Sequence, residues 1–331
     1  MKWSVSRPNL AKVALMEMRR AGTSGLVLSN IGLGTMTWGR DTDTHEAVDQ
    51  ARAYIEAGGN FLDTSPIYGD GDSERVIGGM IGTLFARDSM IIASKAGTKI
   101  IDGNLVISNS RQSLINDLDK TLARLGTDYL DIWQLSQWDP QNPLDDTLSA
   151  LDYAFSTGRA RYVGISNFSG WQAARAATMQ QAHSMKAPIA TSTNEYSLLN
   201  RSAESEVIPA ADEIGFGFIA WAPLGRGVLT GKYRKGVPSD SRAAAPHFVK
   251  HVEPYLTPAA SRIVEAVAVA AEGLGFAPLE VALAWVRDNP SVTSAIVGAR
   301  TGAQLRGVLK SEEIVLPQTI REVLNEVSTP S

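Results

Sequence analysis

The sequence contains no cysteine, and this absence removes several kinds of chemistry at once. Disulfides, thiolate metal ligands and cysteine nucleophiles are all excluded. Only four histidines are present, and they are scattered, so their spacing matches no transition-metal site. The sequence therefore predicts no metal site of its own.

Long apolar runs and runs of one charge are also missing. No stretch approaches the roughly 20 apolar residues of a membrane span, and the first 22 residues have no signal-peptide core. The net charge is -4, with acidic and basic residues interspersed, which makes nucleic acid and anionic membranes poor partners. Because 44% of the residues are hydrophobic, a full core can form. We expect a globular, cytoplasmic protein with no nucleic-acid or membrane partner.

Eight short β-rich runs alternate with amphipathic helical patterns along the chain. The runs begin at residues 31, 61, 90, 129, 162, 189, 217 and 294. Eight strand-helix units predict an α/β fold, a closed (β/α)8 TIM barrel. The alternative is an open doubly wound sheet, but the segment GLGTMTWG after the first run lacks the G-x-G-x-x-G spacing of that fold.

Two further segments shape the predicted domain. Residues 18–30, MRRAGTSGLVLSN, predict a β-hairpin that closes the bottom of the barrel. The longest connection, Tyr233 to Pro258, is expected to be a lid or binding loop. Residues 1–15 are interpreted as an N-terminal extension, and residues 16–331 as one barrel domain. Predicted helix N-caps are Asp43, Asp72, Ser108 and Ser202, and predicted helix ends are Gly58, Gly126, Gly158 and Gly215.

Polar residues follow the second, third and fourth predicted strands, at the barrel end where active sites form. Asp63 and Tyr68 follow the second strand, Lys95 ends the third and Ser136 ends the fourth. An ammonium beside a phenol stabilises the phenolate, and a carboxylate orients the ammonium. Taken singly, each residue has a more common role: an aspartate after a strand usually caps a helix, a lysine is usually solvated, and a tyrosine usually belongs to the core. Together they predict a tyrosine that transfers protons.

From about Met16 onward the sequence resembles the aldo-keto reductases. Their motifs occur in order as GLGTMTWG, FLDTSPIYG followed by GDSERVIGG, IIASKAG, ARLGTDYLDIWQL, GRARYVGISNF, NEYSLLNR, WAPLGRGVLTGKY and IVGARTGAQL. The resemblance implies a (β/α)8 barrel that binds NADPH, or less often NADH, and reduces small-molecule carbonyl substrates to alcohols. It also implies that Tyr68 is the general acid, that Lys95 modulates its pKa and that Asp63 pairs with Lys95.

The same resemblance implies a cofactor site. Ser166 and Asn167 would bind the nicotinamide carboxamide, Trp221 would stack on the nicotinamide ring, and Arg300 is a natural partner for a 2′-phosphate. NADPH is therefore favoured, with NADH not excluded. The other cofactor positions implied are Gly34, Thr35, Met36, Asp63 and Thr193, then Ala222, Pro223, Leu224, Gly225, Gly227 and Lys232 around the pyrophosphate, and Gly298, Thr301 and Gln304 around the adenosine half.

Three positions depart from the family pattern. Ser136 stands where the family has a catalytic histidine, in QLS instead of QLH; Thr193 replaces a carboxamide-binding glutamine, and Val308 an adenine-contacting asparagine. Loss of one preorganised hydrogen-bond donor commonly lowers a rate about a hundredfold to a thousandfold. We therefore expect an atypical carbonyl reductase with room for a bulkier ketone. The alternative is a nicotinamide-binding regulatory or redox-sensing module with little turnover, like the family's potassium-channel β subunits.

Four aromatic side chains are secondary candidates. Trp38 and Trp138 follow strand ends and are interpreted as walls of an apolar substrate site, with ordinary rim packing as the alternative. His247 and His251, in the longest connection, could supply a replacement donor, although solvent-facing loop histidines are the favoured interpretation.

Overall fold

A closed ring of strands forms the centre of the protein. The computed structural model describes residues 16–183, 187–239 and 241–329, so the predicted extension, residues 1–15, lies outside the described residues and its boundary stays a prediction. In chain order the strands are β1 (Met18–Arg20), β2 (Val27–Ser29), β3 (Ile31–Gly34), β4 (Phe61–Asp63), β5 (Ile91–Ala96), β6 (Thr98–Ile101), β7 (Asn104–Ile107), β8 (Leu130–Leu135), β9 (Ala160–Ser166), β10 (Ile189–Glu195), β11 (Gly217–Trp221) and β12 (Val292–Val297).

The ring is parallel and closed. Its order is β3, β4, β5, β8, β9, β10, β11 and β12, and β12 pairs with β3 again. These eight strands coincide with the eight predicted runs, so the (β/α)8 barrel is confirmed and the open sheet is wrong. The helices are α1 (Thr44–Glu56), α2 (Asp72–Met80), α3 (Arg111–Leu125), α4 (Leu144–Ser156), α5 (Gly170–Ala182), α6 (Val207–Ile214), α7 (Val249–Val252), α8 (Pro258–Leu274), α9 (Pro278–Arg287), α10 (Gly302–Leu309) and α11 (Gln318–Val327).

The predicted hairpin β1–β2 closes the bottom of the barrel. Ala21, Leu26 and Leu28 from the hairpin pack against one buried layer of inward-facing side chains. These apolar contacts exclude water from the layer on the side of the hairpin. The residues of the strands in that layer are Phe61, Ala93, Ile132, Ile219 and Ile296.

Helix starts were predicted less well than strands. Asp43 caps α1 by accepting a hydrogen bond from the Glu46 amide, as predicted. Ser108 was wrong, because an unpredicted hairpin displaces the start of α3 and Ser110 caps it instead.

Two other predicted N-caps were also wrong. Gly71, with φ 86°, precedes α2, so that Asp72 is the first helical residue. Ser202 opens a short 3-10 turn, and α6 starts only at Val207. The four predicted helix-ending glycines, Gly58, Gly126, Gly158 and Gly215, all have positive φ.

The unpredicted hairpin, β6–β7, leaves the rim of the barrel directly after β5. Asp102 and Gly103 form its turn with φ of 50° and 76°, the conformation that an Asp-Gly pair between apolar runs favours. Lys99 fixes the hairpin to α3: its Nζ lies 3.1 Å from Ser113 Oγ and 3.2 Å from Asp117 Oδ1. The Asp-Gly pair is thus a signal that sequence reasoning missed.

The longest connection is folded over the rim instead of extending from it. It contains α7 and two 3-10 turns, Arg242–Ala244 and Glu253–Tyr255. His247 Nε2 lies 2.8 Å from Asp41 Oδ1 on one side, and Arg226 Nη1 donates to the His251 carbonyl at 2.7 Å on the other. The connection therefore spans from the β3 side of the rim to the β11 side.

None of the helices within the described ranges is by itself long and apolar enough to cross a membrane. Helices α8 and α9 are long and apolar enough for a membrane span only when they are taken together, and a bend of 101° separates them.

Candidate active site

A buried ion pair joins two neighbouring strands at the top of the barrel. Asp63 ends β4 opposite Ala93 of β5, and Lys95 lies two residues further along, so both side chains point inward above the apolar layer. Lys95 Nζ lies 2.7 and 2.8 Å from the two Asp63 oxygens and donates to the Thr64 carbonyl at 2.9 Å. The three acceptors satisfy all three ammonium hydrogens.

Tyr68 lies beside this pair. Its backbone N–H donates to the Ser65 carbonyl at 3.0 Å and opens a 3-10 turn, which places the ring 5.6 Å from Lys95 Nζ. The structure therefore brings together the three residues that the sequence nominated for proton transfer.

The pKa values correct one expectation. Burial raises the pKa of Tyr68 above its ordinary value, Lys95 lowers it by less, and Asp63 raises it further. The Lys95 ammonium therefore does not set the pKa of the Tyr68 phenol, because the carboxylate of Asp63 largely compensates the charge of the ammonium. Burial alone would lower the pKa of Lys95, but Asp63 and Tyr68 outweigh burial and raise it. At neutral pH the phenol keeps its proton and the lysine stays cationic.

Ser136 continues the β8 ladder at the same barrel end, and it is buried. Its N–H donates to the Ala96 carbonyl at 2.9 Å. Its Oγ accepts a hydrogen bond from Thr98 Oγ1 of β6 at 3.0 Å. Thr98 is a residue that sequence reasoning did not single out, and it connects the rim hairpin to the position of the missing histidine.

The predicted carboxamide site is connected to Ser136 by one amide. Asn167, with φ 57°, donates from Nδ2 to the Ser136 carbonyl at 2.9 Å and accepts from Trp221 Nε1 at 3.0 Å. Ser166 Oγ donates to the Thr193 carbonyl at 3.0 Å. Thr193 Oγ1 is buried and has no hydrogen-bond partner among the described residues, so this site retains polar capacity for a ligand.

The predicted pyrophosphate segment is a tight turn. Ala222, Gly225, Arg226 and Gly227 all have positive φ, between 51° and 93°, which is unusual for the two that carry side chains. A Cβ at Gly227 would lie 3.4 Å from Lys232 Nζ, so the lysine ammonium lies close to the turn. In the same segment Pro223 is buried and Leu224 is half-buried.

Arg226 holds this turn in place. It makes two hydrogen bonds to the carboxylate of Glu195, at 2.9 and 2.7 Å. The contact of Arg226 with His251 and the burial of the histidine ring lower the pKa of His251 to about 4, with burial the larger cause. His251 is therefore neutral at pH 7, and the guanidinium connects β10, the turn and the longest connection.

The predicted adenosine side contains two guanidiniums. A Cβ at Gly298 would lie 3.3 Å from the Gly34 carbonyl and 3.8 Å from Arg242 Nη2. Burial, and then the charge of Arg300, lower the pKa of Arg242, so the two cations lie near one another. Sequence reasoning nominated Arg300 but not Arg242, whose place in a long connection carries no local signal.

Other predicted cofactor positions already serve the fold. Thr35 Oγ1 donates to the Asp63 carbonyl at 3.1 Å, and Met36 is half-buried. Thr301 caps α10 by accepting from the Gln304 amide at 3.2 Å, and Gln304 Oε1 accepts from the Arg300 amide at 3.0 Å.

The secondary candidates divide. Trp38 is fully buried and its indole N–H donates to Gln50 at 2.9 Å, which are contacts of the rim-packing alternative. Trp138 is half-buried and stacks edge-on against Phe168 and Trp171, each at 5.5 Å, and its substrate role stays a prediction. His247 and His251 make the contacts that hold the longest connection over the rim.

No group of three or more histidine, aspartate or glutamate side chains in the described part of the chain is arranged to hold a metal ion. The features suit a dinucleotide better: a left-handed turn beside a lysine, a partly exposed Trp221, the unpartnered Thr193 hydroxyl and two adjacent guanidiniums.

Comparison with known proteins agrees with this geometry. Residues 30–328 match the model of the aldo/keto reductase family. The uncharacterized oxidoreductase YrpG of Bacillus subtilis (strain 168) is 33% identical over 321 residues, 94% of this chain and 96% of that protein. The L-glyceraldehyde 3-phosphate reductase of Escherichia coli O157:H7 is 33% identical over 308 residues, 90% and 88% of the two chains. A probable voltage-gated potassium channel subunit beta of Oryza sativa subsp. japonica is 31% identical over 318 residues, 94% and 95%.

The ion pair generates a prediction about stability. Asp63→Asn leaves a buried ammonium without its counter-charge, and we expect it to lower the free energy of unfolding by about 3–5 kcal/mol. Urea denaturation followed by circular dichroism measures the change. Because the cost comes from an unpaired charge, the double variant Asp63→Asn/Lys95→Met should lose less than Asp63→Asn alone. A double variant that is less stable than both single variants would contradict this origin.

Proposed function

The chain belongs to the aldo/keto reductase family of oxidoreductases, and from that premise we propose that it reduces an aldehyde or ketone to an alcohol with NADPH. The observation that carries the proposal is the contact set of Asp63, Lys95 and Tyr68 at the carboxyl ends of β4 and β5. A protein that only binds a nucleotide has no need for a buried ammonium beside a phenol.

In the proposed mechanism these three residues together control the transfer of the phenolic proton of Tyr68. When bound, the nicotinamide would supply hydride to the carbonyl carbon. Tyr68 donates its proton to the carbonyl oxygen, and its raised pKa keeps that proton available at neutral pH. Lys95 stabilises the phenolate that remains. Asp63 keeps Lys95 oriented and protonated.

The cofactor would lie across the top of the barrel. Ser166, Asn167 and Thr193 would hold the carboxamide, and Trp221, oriented by its hydrogen bond to Asn167, would stack on the nicotinamide ring. The residues proposed to hold the rest are Gly34, Met36, Ala222, Pro223, Leu224, Gly225, Gly227 and Lys232, with Gly298, Arg300, Thr301 and Gln304 at the adenosine end.

The regulatory alternative has less support. A cofactor-binding module with little turnover would be motivated by Ser136, Thr193 and Val308. Those departures leave the proton-donating set intact, since Lys95 retains all three of its acceptors. Measured reduction of any carbonyl compound would therefore favour the reductase function over the regulatory one.

Tyr68→Phe tests the proposed general acid. We expect it to lower carbonyl reduction by roughly a hundredfold to ten-thousandfold, because the proton donor is lost, while NADPH affinity stays the same. Nicotinamide absorbance measures the rate and fluorescence titration the affinity. Tyr153→Phe, on the outside of α4, is the matched control and should behave like the parent. A Tyr68→Phe variant as fast as the parent would show that Tyr68 is not the general acid. A parent protein that binds NADPH but reduces no carbonyl would favour the regulatory module.

Ser136→His restores the residue that the family has at this position. We expect faster reduction of small aldehydes, by up to about a hundredfold, because an imidazole adds a preorganised donor for the developing oxyanion. The measurement is kcat/KM for propanal with the parent and the variant. An unchanged or lower value would show that Ser136 is not what limits the rate.

Cofactor choice is tested at Arg242, next to Arg300. A guanidinium that binds a 2′-phosphate contributes charge-assisted hydrogen bonds, so Arg242→Met should raise the Kd for NADPH about tenfold or more and change the Kd for NADH little. Arg40→Met is the control, since Arg40 contacts Phe248 at 5.0 Å as Arg242 does at 5.5 Å. Equal weakening of both cofactors by Arg242→Met would count against NADPH selection here.

A further inference from the structure

The hairpin β6–β7 begins at the active site and ends in solvent. It follows β5, which carries Lys95, and its first residue, Thr98, donates a hydrogen bond to Ser136 Oγ at 3.0 Å. One face of the hairpin therefore starts at the position where the family has its catalytic histidine.

Strand pairing shows which residues share that face. Thr98 pairs with Ile107, and Ile100 pairs with Leu105. Since side chains alternate along a strand and paired residues point to the same side, these four form one face. Lys99 lies on the opposite face and reaches Ser113 and Asp117 of α3, so the Thr98 face is turned away from that helix and toward the strand end that carries Ser136.

The Thr98 face is polar only at its base. Ile107 lies beside Thr98 on the paired strand and is half-buried, and Ile100 and Leu105, the next pair outward, are 54% and 46% exposed. Large apolar side chains grouped on a projecting element commonly mark a binding surface. This face, formed by the pairs Thr98–Ile107 and Ile100–Leu105, carries no charged side chain.

We propose that this chain selects carbonyl substrates with an extended apolar substituent, which lies along Ile100 and Leu105 while the carbonyl lies near Ser136 and Tyr68. The inference rests on the proposed function and specifies the substrate class of the same site. Serine is smaller than histidine, so the base of the face leaves room for the carbon next to the carbonyl. Ile100 and Leu105 are thus specificity-determining residues, and Thr98 is a positioning residue that acts through Ser136.

A homologous series of straight-chain aldehydes, from propanal to octanal, tests the proposal with the full chain and NADPH. If each added methylene is covered by the hairpin, kcat/KM should rise by about twofold to fourfold per carbon over several carbons. A kcat/KM that does not depend on chain length would overturn the inference.

The hairpin offers a matched pair of variants. Ile100→Thr/Leu105→Thr removes the apolar face and should lower the octanal-to-propanal ratio of kcat/KM by about tenfold or more. Ile101→Thr/Val106→Thr changes two similarly exposed residues on the opposite face and should keep the parent ratio. Threonine favours strand structure in both, and thermal unfolding checks that both remain folded. Equal loss of the ratio in both variants would assign the effect to hairpin stability and overturn the proposal.

Different outcomes would contradict the proposed reductase function and the proposed substrate class. If propanal is reduced but the series shows no trend, the substrate class is wrong and the reductase function stands. If NADPH binds and neither an aldehyde of any length nor a ketone is reduced, the reductase function is wrong and the substrate class is overturned with it.

Discussion

The alternation of side chains along strands in a closed ring determines where chemistry can occur in this protein. Phe61, Ala93 and Ile132 point inward and form an apolar layer that the N-terminal hairpin seals from below. Two residues further along β4 and β5, the inward positions are Asp63 and Lys95, above the sealed layer. The same geometric rule therefore separates a stabilising lower half from a reactive upper half.

Burial, more than the charge of Lys95, sets the pKa of the Tyr68 phenol. The expectation from sequence was that an ammonium beside the phenol would lower its pKa. In the structure the carboxylate of Asp63 accepts two of the three ammonium hydrogens, and burial has the larger effect on Tyr68. A phenol that keeps its proton suits carbonyl reduction, in which the proton is given up only as negative charge develops on the substrate oxygen. In the proposed reaction Lys95 would then stabilise the phenolate that this transfer leaves.

Sequence patterns predicted what depends on local periodicity and missed what depends on distant contacts. The eight strands and the closing hairpin were confirmed because each carries its own apolar pattern. The burial of Trp38 against Gln50 of α1 cannot be derived from its position after a strand. Arg242 was missed because only the folding of a long connection over the rim brings it to Gly298. The hairpin at residues 98–107 is different, since its Asp-Gly turn was visible and was not used.

The residues proposed to transfer the proton and those proposed to select the substrate lie on different parts of the rim, and Ser136 is hydrogen-bonded to the hairpin that carries the second group. Asp63 and Lys95 sit on barrel strands, where pairing on both sides fixes their positions. Ser136 belongs to the end of β8, yet its hydroxyl accepts from Thr98 on the hairpin. A histidine at this position would act on the substrate directly from the strand end. With a serine that accepts a hydrogen bond from Thr98, the proposed position of the carbonyl would depend on the hairpin, so the residues proposed to contact the substrate chain would also influence where the carbonyl lies.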